Sequence, residues 1–368
     1  MRNLAVINHA QESLSDSAKE TVEIDDIPVT FGIVSTPTPE FNRNAPENRQ
    51  RVLVRKKAFS CNYRDKAVIF AASKQTRSGF FHPIGSEFAG EVVDIGSDVV
   101  GLAIGDRVIG NNHYYDNSSP FAEGVPTNKA SKEYEALHYA KLINIPPQMP
   151  DEVGAAFSIG AQTVYGMIRK LNLKPGEKVL VTSAKSNTSL FAINALRQYD
   201  VSVYATSTND EYADRLQEMG VRQLFVISPE PDTSSIMAAA GMFDCVIDPF
   251  FDLHLSWVVH LMTYNARYIS CGRAGQYHGI IDKRSPVLEE TYALTDVLSN
   301  VVVKNLQVIG NCVGVTEDLA QAIADYTAGR FNVVIDSVYS GKQIGKFINR
   351  SYNARGRFGK VVYKYDGA

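Results

Sequence analysis

Short apolar runs alternate with longer amphipathic stretches along the second half of the chain. The runs are EKVLVTS, VSVYATS, QLFVIS, DCVIDP and ARYISCG, and they are rich in the β-branched residues typical of strands. In the first intervening stretch Leu190, Ile193 and Leu196 recur at three-residue spacing, which predicts a helix with one apolar face. Strands that alternate with helices predict a parallel sheet built through right-handed crossovers.

The first part of the chain has a different pattern. From Arg51 onward the runs RVLVRKKAF, EFAGEVVDIG and GDRVIG are separated by turn residues, which predicts a small antiparallel β domain. The segment 11–50 is rich in Ser, Pro, Asn and acidic residues and predicts an exposed irregular loop. The last residues, from VVIDSVYS to GKVVYKY, return to a β pattern around one helix, which predicts that they pack onto the first domain.

Length and charge narrow the class of protein. A chain of 368 residues fits two domains, and 37 basic against 40 acidic residues give a net charge of −3. This balance offers no broad attraction for nucleic acid or an anionic membrane, so the expected partners are small molecules. No apolar run is long enough to span a bilayer, and the N-terminus turns polar too early for a secretory signal, so a cytoplasmic location is expected. The four cysteines are isolated from one another, which predicts reduced thiols.

Six motifs occur in the order found in one enzyme superfamily. They are SCNYRDKAV (60–68), HPIGSEFAGEVVDIGSDVVGLAIGDRV (82–108), FAE (121–123), AAFSIGAQTVYGMI (155–168), LKPGEKVLV (173–181) and GRFGKVVY (356–363). The chain resembles the medium-chain dehydrogenase/reductase superfamily, in particular its zinc-independent quinone and enoyl reductase branch. The resemblance implies an α/β fold with a GroES-like β domain at 1–155, completed by 311–368. It also implies a Rossmann domain, a doubly wound parallel sheet that binds a nicotinamide cofactor, at 156–310.

Two positions argue against zinc. In the alcohol dehydrogenases of this superfamily a Cys and a His stand where this chain has Asn62 and Ser86, and only Glu87 matches. Cys61 is one residue away, and in an extended segment that shift points a side chain to the opposite face. A catalytic zinc needs three protein ligands, so no metal site is predicted.

The absence of a Lewis acid favours a conjugated acceptor. In an enoyl thioester, enone or quinone, the charge that arrives with hydride is delocalised to an oxygen that a few hydrogen-bond donors can stabilise. The substrate is therefore expected to be a small molecule, either free or linked as a thioester, that contains an activated C=C bond.

The loop after the first Rossmann strand lacks its usual glycines. The reductase branch has an A-x-x-G-x-x-G loop there, and this chain has Ala184, Ser186 and Ser189 at the three places. Serine permits a less tight turn than glycine, but a helix N-terminus still offers free amides to a phosphate. The hydroxyl and amide side chains of residues 186–189 can add donors or cap the helix. The pattern predicts a phosphate site lined by hydroxyl groups.

The end of the second Rossmann strand indicates the dinucleotide. An NAD site usually places a carboxylate there, whereas this chain has Ser207 and Thr208, with Arg215 nearby, so NADPH is the predicted cofactor. The predicted cofactor-binding residues are Ser183, Ala184, Lys185, Ser186, Asn187, Thr188, Ser189, Ser207, Thr208, Arg215, Cys271, Gly272, Asn311, Val313 and Lys360.

The resemblance also implies residues near the reaction. Asn62 is expected near the nicotinamide ribose and substrate, and Thr163 in the nicotinamide pocket. Many quinone reductases carry a Tyr where this chain has Ala67, so the proton donor is open. Tyr63 is the first candidate, and the alternatives are His113, Tyr114, Tyr115 and solvent.

These observations predict an NADPH-dependent, zinc-free reductase of an activated C=C bond, and family analogy predicts a homodimer joined through an edge of the Rossmann sheet. One alternative is a reductase of a conjugated imine or related intermediate in specialised biosynthesis. A second is a catalytically lapsed scaffold or sensor that binds NADPH, for which the serine-filled loop is the main argument.

Overall fold

The computed structural model describes residues 1–7, 19–113, 124–276 and 291–365, with the backbone alone for 291–293. The chain divides into two compact units, which are Met1–Ile159 with Ile335–Ala368 and Gly160–Val334. Within the described ranges no helix is both long and apolar enough to cross a membrane.

The strands are β1 (Arg2–Ile7), β2 (Glu20–Ile24), β3 (Ile27–Ser35), β4 (Arg51–Ser60), β5 (Phe81–Pro83), β6 (Glu87–Ile95), β7 (Arg107–Gly110), β8 (Tyr134–His138), β9 (Leu142–Asn144), β10 (Glu177–Val181), β11 (Val201–Ser207), β12 (Val221–Val226), β13 (Phe243–Asp248), β14 (Met262–Ser270), β15 (Gln307–Gly310), β16 (Ile335–Ser340) and β17 (Lys360–Lys364). The helices are α1 (Asp65–Ser73), α2 (Asp151–Gly154), α3 (Ser158–Leu171), α4 (Asn187–Leu196), α5 (Ala213–Glu218), α6 (Thr233–Ala240), α7 (Phe251–Val258), α8 (Thr291–Val303), α9 (Thr316–Thr327) and α10 (Ile344–Tyr352).

The first unit is built around a mainly antiparallel sheet. Its strand order is β16-β17-β4-β6-β7-β9, and β8 also pairs with β4. β16 and β17 come from the end of the chain, and β17 pairs antiparallel with β4. Helix α10 covers this junction, because the Phe347 ring lies 5.5 Å from Phe59 and 5.6 Å from Tyr363 between ring centroids. The predicted return of the last residues to the first domain is confirmed.

A second sheet in this unit differs from the prediction. Its order is β2-β3-β1-β5, and β2 and β3 form a hairpin inside the segment predicted to be an irregular loop. The polar composition of that segment conceals a two-residue periodicity on β2, where buried Val22 and Ile24 alternate with exposed Thr21 and Glu23. On β3 consecutive residues are buried from Val29 to Gly32. The buried side chains are Val22, Ile24, Val29, Phe31 and Val34.

The second unit contains a parallel six-stranded sheet with the order β12-β11-β10-β13-β14-β15. All of its neighbouring strands pair in parallel, as the alternation of strands and helices predicts. The predicted fold, a GroES-like β domain with a Rossmann sheet, is confirmed. The order reverses between β10 and β13, so a ligand is expected beyond the carboxyl ends of β10, β11 and β13.

Helix α9 lies in the second unit, whereas the sequence analysis placed residues 311–368 with the first. The reason is a set of polar contacts between α9 and α3. Arg169 forms a bidentate pair with Asp318, with N–O distances of 2.7 and 2.9 Å, and the Tyr165 hydroxyl donates to Asp325 over 2.8 Å. The return to the first unit therefore begins at Ile335 rather than at Asn311.

Candidate active site

A buried polar cluster lies in the first unit where three neighbouring strands meet. Asn62 follows β4, Glu87 opens β6 and Lys360 opens β17. Lys360 Nζ donates to Glu87 Oε2 over 2.5 Å and to Asn62 Oδ1 over 2.8 Å, and Asn62 Nδ2 donates to the same Glu87 oxygen over 2.7 Å. Glu87 is fully buried and Lys360 is 2% exposed. Both ends of the Asn62 amide are therefore fixed by charged partners.

The other carboxylate oxygen of Glu87 is also bonded. Oε1 accepts from the Ile159 amide over 2.7 Å and from the Ser158 hydroxyl over 3.4 Å. A buried ion pair is tolerated when further hydrogen bonds satisfy its remaining atoms, and this pair meets that condition.

Asp65 supports the same cluster from its other side. Its Oδ2 accepts from the backbone N–H of Asn62 over 2.9 Å and from the Ser86 hydroxyl over 2.8 Å. Burial raises the pKa of Asp65 above its ordinary range, although Arg64 and these hydrogen bonds act in the opposite direction. Asp65 therefore fixes the backbone that carries Asn62.

The residues present do not fit a zinc site. Asn62 and Ser86, which stand where the zinc ligands of related enzymes would be, bond to each other over 3.2 Å. The Glu87 carboxylate is already paired with the Lys360 ammonium. Burial raises the pKa of the Cys61 thiol, and this disfavours the thiolate form that binds metal. Within the described ranges no three His, Cys, Asp or Glu side chains come together as a possible metal centre.

Two tyrosines flank this cluster. Tyr63 has the Lys66 ammonium 5.0 Å from its ring centroid, and Lys66 is paired with Asp25 at 2.9 Å. The Tyr352 hydroxyl donates to the Asn62 carbonyl over 3.3 Å, and burial raises the pKa of Tyr352 well above its usual value. Sequence reasoning missed Tyr352 because 290 residues separate it from Asn62.

Two of the candidate proton donors, Tyr114 and Tyr115, lie outside the described residues, and so does the FAE motif at 121–123.

The cofactor loop in the second unit is held by its own side chains. Ser186 caps α4, as predicted, by accepting from the Ser189 amide over 3.1 Å. The Ser186 hydroxyl donates to Ser189 Oγ over 2.9 Å, and that hydroxyl donates to the Thr182 carbonyl over 2.7 Å. Ser183 adopts a left-handed φ of 48°, a conformation that costs a non-glycine residue about 1–2 kcal/mol. The two serines at glycine positions thus stabilise the turn through hydrogen bonds.

A cavity of about 190 Å³ opens beside this loop. It is lined by Ser183, Lys185, Ser186, Thr206, Ser207, Thr208, Ile227 and His254. Five of these residues were predicted to bind the cofactor, whereas Thr206, Ile227 and His254 were not. Lys185 Nζ lies 2.7 Å from Asn209 Oδ1, and the buried Thr206 Oγ1 has no hydrogen-bond partner among the described residues. These hydroxyl and ammonium donors at a helix N-terminus fit a dinucleotide phosphate.

The remaining residues predicted for this part of the cofactor site are not among the residues that line the cavity. Ala184 and Ser189 are fully buried, and Asn187 and Thr188 form the start of α4. Arg215 lies on α5 with its guanidinium carbon 5.8 Å from the Tyr212 ring centroid. The direct binding of pyrophosphate by the Ser186 and Ser189 hydroxyls stays a prediction, and the Ser189 hydroxyl is engaged within the loop.

A buried carboxylate orients His254 on this cavity. Asp248 Oδ1 lies 2.7 Å from His254 Nδ1 and accepts from the Thr182 hydroxyl over 2.7 Å and the Phe250 amide over 2.8 Å. The Tyr268 hydroxyl donates to Oδ2 over 2.6 Å. Burial alone would raise the pKa of Asp248, but these bonds and His254 outweigh it and lower the pKa.

Ser183, His254 and Asp248 are linked in space as in the Ser–His–Asp triad of a hydrolase, with Ser183 Oγ 3.3 Å from His254 Nε2. Such triads need a backbone amide, often the one after the serine, to stabilise the tetrahedral intermediate. Here the Ala184 amide donates to the Thr206 carbonyl over 2.8 Å and is already used. The arrangement therefore suits orientation of the loop better than acyl transfer.

The residues predicted near the nicotinamide are partly assembled. Asn311 Nδ2 donates to the Val313 carbonyl over 2.7 Å and to the Thr163 carbonyl over 3.3 Å, and its buried Oδ1 has no hydrogen-bond partner among the described residues. Burial and the nearby Asp248 raise the pKa of Cys271 to about 12, so its thiol is neutral.

Two further predicted cofactor residues have other contacts in the structure. The Gly272 carbonyl accepts from the Phe251 amide over 3.1 Å. Lys360 lies in the Asn62 cluster of the first unit.

The fold combines a GroES-like unit with a unit built on a parallel sheet of the Rossmann type. Residues 48–147 match the alcohol dehydrogenase GroES-like domain. Over nearly its whole length the chain has a fold similar to those of solved alcohol dehydrogenases and reductases.

Three known proteins illustrate the similarity. The fold is similar to an NAD-dependent alcohol dehydrogenase, with a TM-score of 0.76, 21% identity and 99% of each chain covered. It is also similar to the 2-octenoyl-CoA carboxylase reductase CinF, solved with NADP and 2-octenoyl-CoA, with a TM-score of 0.73, 17% identity and coverage of 92% of this chain and 82% of that one. The spectinabilin polyketide synthase protein NorB of Streptomyces orinoci is 25% identical over 67% of this chain, which spans only 11% of NorB.

Replacement of Lys360 tests the buried ion pair. Lys360→Met leaves the Glu87 carboxylate buried without its cation and is expected to lower the free energy of unfolding by about 3–5 kcal/mol. Lys364→Met, on the same strand, breaks the partly exposed pair with Glu152 and is expected to cost less than about 1 kcal/mol. Urea denaturation followed by circular dichroism measures both. Equal losses in the two variants, or no recovery in the double variant Lys360→Met/Glu87→Gln, would contradict the assignment.

Asp248 is expected to make stability depend on pH. Its pKa is lower in the folded protein than the ordinary aspartate value of about 3.9, so it stabilises the fold above that value and the effect is lost as the pH falls through the folded pKa. Asp248→Asn is expected to cost about 1.5–3 kcal/mol at neutral pH, and the difference from wild type should shrink in acid. Tyr268→Phe removes one bond to the same carboxylate without removing the titrating group, so it is the control. The free energy of unfolding is measured by urea denaturation at several pH values between neutral and pH 3. A difference between Asp248→Asn and wild type that is constant over this range would refute the assignment.

Proposed function

We propose that this protein is an NADPH-dependent reductase that works without zinc and transfers hydride to an activated C=C bond. The observation that carries the proposal is the Asn62–Glu87–Lys360 cluster. The Asn62 amide, the adjoining Ser86 hydroxyl and the Glu87–Lys360 ion pair stand at positions that, by the resemblance, correspond to the metal site of the zinc-dependent enzymes.

The chemistry of the cluster favours a conjugated acceptor. A simple aldehyde or ketone needs strong polarisation before it accepts hydride, and zinc supplies this in metal-dependent enzymes. An enoyl thioester, enone or quinone spreads the arriving charge to a distant oxygen, which hydrogen-bond donors can stabilise. CinF, whose fold is similar, was solved with 2-octenoyl-CoA, and this supports an enoyl thioester for this chain.

The cavity beside the serine loop supports NADPH. NADPH supplies the hydride when bound, and it differs from NADH by a 2′-phosphate. Ser207 and Thr208 stand where an NAD site usually has a carboxylate, and Lys185 lines the same cavity. These groups donate hydrogen bonds and do not repel a phosphate dianion. The NADP in the CinF structure is consistent with this choice.

Tyr63 remains the proposed proton donor. The Lys66 ammonium lies 5.0 Å from its ring centroid, and a neighbouring positive charge favours the phenolate that remains after proton transfer. Asn62 is held by Glu87 and Lys360, so its proposed part is to present a fixed polar surface to the substrate.

Turnover with a substrate panel tests the proposal. We expect NADPH consumption with enoyl thioesters, enones or quinones, little with simple aldehydes, and no effect of a zinc chelator. Lys185→Ala should weaken NADPH binding by about 1.5–3 kcal/mol, the value of a hydrogen bond to a charged group, and leave NADH binding nearly unchanged. Absorbance at the reduced nicotinamide band and fluorescence titration measure these effects.

Three outcomes would redirect the interpretation. Stoichiometric zinc together with NAD-dependent alcohol oxidation would replace it with an alcohol dehydrogenase. Turnover confined to conjugated imines would favour the biosynthetic alternative. NADPH binding without turnover of any acceptor would favour a scaffold or sensor.

We also propose a homodimer joined through β15. This strand lies at one edge of the six-stranded sheet, and its Val308 is 49% exposed. Helix α8, which precedes it, exposes Leu298 by 52% and Val302 by 74%. An exposed edge strand beside apolar side chains is a surface that a second copy can cover.

A charge on this edge is expected to separate the subunits. Val308→Lys places an ammonium on the proposed interface and should convert a dimer to a monomer in sedimentation velocity experiments. Val338→Lys is the matched control, since Val338 is 44% exposed on β16, an edge strand of the other unit. A monomeric wild-type protein, or a Val308→Lys variant that stays dimeric, would contradict this interface.

A further inference from the structure

We propose that the cavity beside the serine loop binds a phosphate monoester and that His254, which lines this cavity, takes up a proton when the phosphate binds. The ligand identity, the 2′-phosphate of NADPH, rests on the proposed function. The binding chemistry rests on the side chains of the cavity.

His254 is oriented before any ligand arrives. Thr182, Tyr268 and the Phe250 backbone amide hold the Asp248 carboxylate, whose Oδ1 lies 2.7 Å from His254 Nδ1. Because the lowered pKa keeps Asp248 ionised, the carboxylate can only accept a hydrogen bond, and Nδ1 is therefore the protonated nitrogen of the neutral ring. The Trp257 ring packs edge-on against the imidazole at 5.9 Å between centroids. These contacts fix Nε2 toward Ser183, at 3.3 Å from its hydroxyl oxygen.

The proton on Nε2 decides what Ser183 offers to the cavity. When Nε2 is bare, it accepts the Ser183 hydroxyl proton, and the serine then presents lone pairs that repel an anion. When Nε2 carries a proton, it donates to Ser183 Oγ, and the hydroxyl proton is free to point at the ligand. Only the protonated state gives both a positive charge and a donor, so an anion should bind together with a proton.

A second observation points to the same ligand. Thr206 lines the cavity and is fully buried, and its hydroxyl oxygen has no hydrogen-bond partner among the described residues. A buried hydroxyl without a partner is costly unless a ligand or water meets it. Together with Lys185 and Ser183, this side chain makes a set of donors that suits the several acceptor oxygens of a phosphate.

Three other ionisable groups near His254 do not change their protonation state near neutral pH. Asp248 has a lowered pKa and is ionised. Burial holds the Tyr268 pKa far above its usual value and that of Cys271 at about 12, so both are neutral. Lys185 Nζ lies 3.8 Å from Glu211 Oε2.

Asp252, on the same helix as His254, accepts the Ala274 amide over 2.7 Å and the Gly275 amide over 2.9 Å. Histidine is the side chain that ordinarily changes charge in this range, so His254 is the expected site of proton uptake.

Calorimetric titration in buffers of different ionisation enthalpy tests the proposal. NADPH, NADH and inorganic phosphate are titrated into the wild-type protein and into His254→Asn between pH 6 and pH 8.5. Because the phosphate itself titrates near pH 6, the measured quantity is the difference in proton uptake between the two proteins. We expect this difference to approach about one proton for NADPH above neutral pH, with affinity falling up to about tenfold per pH unit in wild type only.

The arms separate the sources of phosphate. NADH, without the 2′-phosphate, should show no difference between the proteins. A proton difference with inorganic phosphate alone supports the site whatever the fate of the NADPH proposal, and NADH binding as tightly as NADPH overturns only that proposal. Equal uptake in wild type and His254→Asn, for both NADPH and phosphate, overturns the role of His254. His254→Gln serves as the second variant if His254→Asn unfolds, with thermal denaturation as the check.

Discussion

The Glu87–Lys360 ion pair is the interaction on which the first unit depends. It joins β6, from the middle of the chain, to β17, from its end, and Asn62 links both to β4. Removing two charges from water costs several kcal/mol for each ion, so the pair is stable only because other donors satisfy the carboxylate. Ser158 and the Ile159 amide supply those donors at the point where the unit ends. One buried carboxylate thus fixes the last strand of the chain and the polar surface around Asn62.

The serine loop in the second unit shows how side chains replace backbone freedom. Glycine loops turn tightly because glycine tolerates left-handed φ and close approach. Here Ser183 accepts the left-handed conformation itself, and the Ser186 and Ser189 hydroxyls form a chain of bonds to the Thr182 carbonyl. The serine loop is less flexible than a glycine loop, but its hydrogen bonds form the turn before a ligand binds. This favours a working cofactor site over one that has lost its function.

Sequence reasoning located the large features and missed those that depend on distant contacts. The Rossmann sheet follows from periodic apolar runs, and the last strand follows from its motif, so both could be predicted. The β2–β3 hairpin was hidden because polar residues occupy its outward positions and its spacing was read as a loop. Helix α9 could not be assigned to its unit, since the Arg169–Asp318 pair joins residues 149 apart. The contacts of Lys360 with Glu87 and of His254 with Asp248 could be found only from the structure.

Each unit applies the same principle to a different basic side chain. A buried carboxylate at a strand end, Glu87 or Asp248, is held by several donors and in turn orients Lys360 or His254. For lysine the outcome is a buried ion pair that also fixes the side chain of Asn62. For histidine, whose charge changes near neutral pH, the same arrangement can respond to a ligand. Because several donors hold each carboxylate, the basic groups are oriented before a ligand arrives, and such preorganisation reduces the reorganisation that electrostatic stabilisation would otherwise cost.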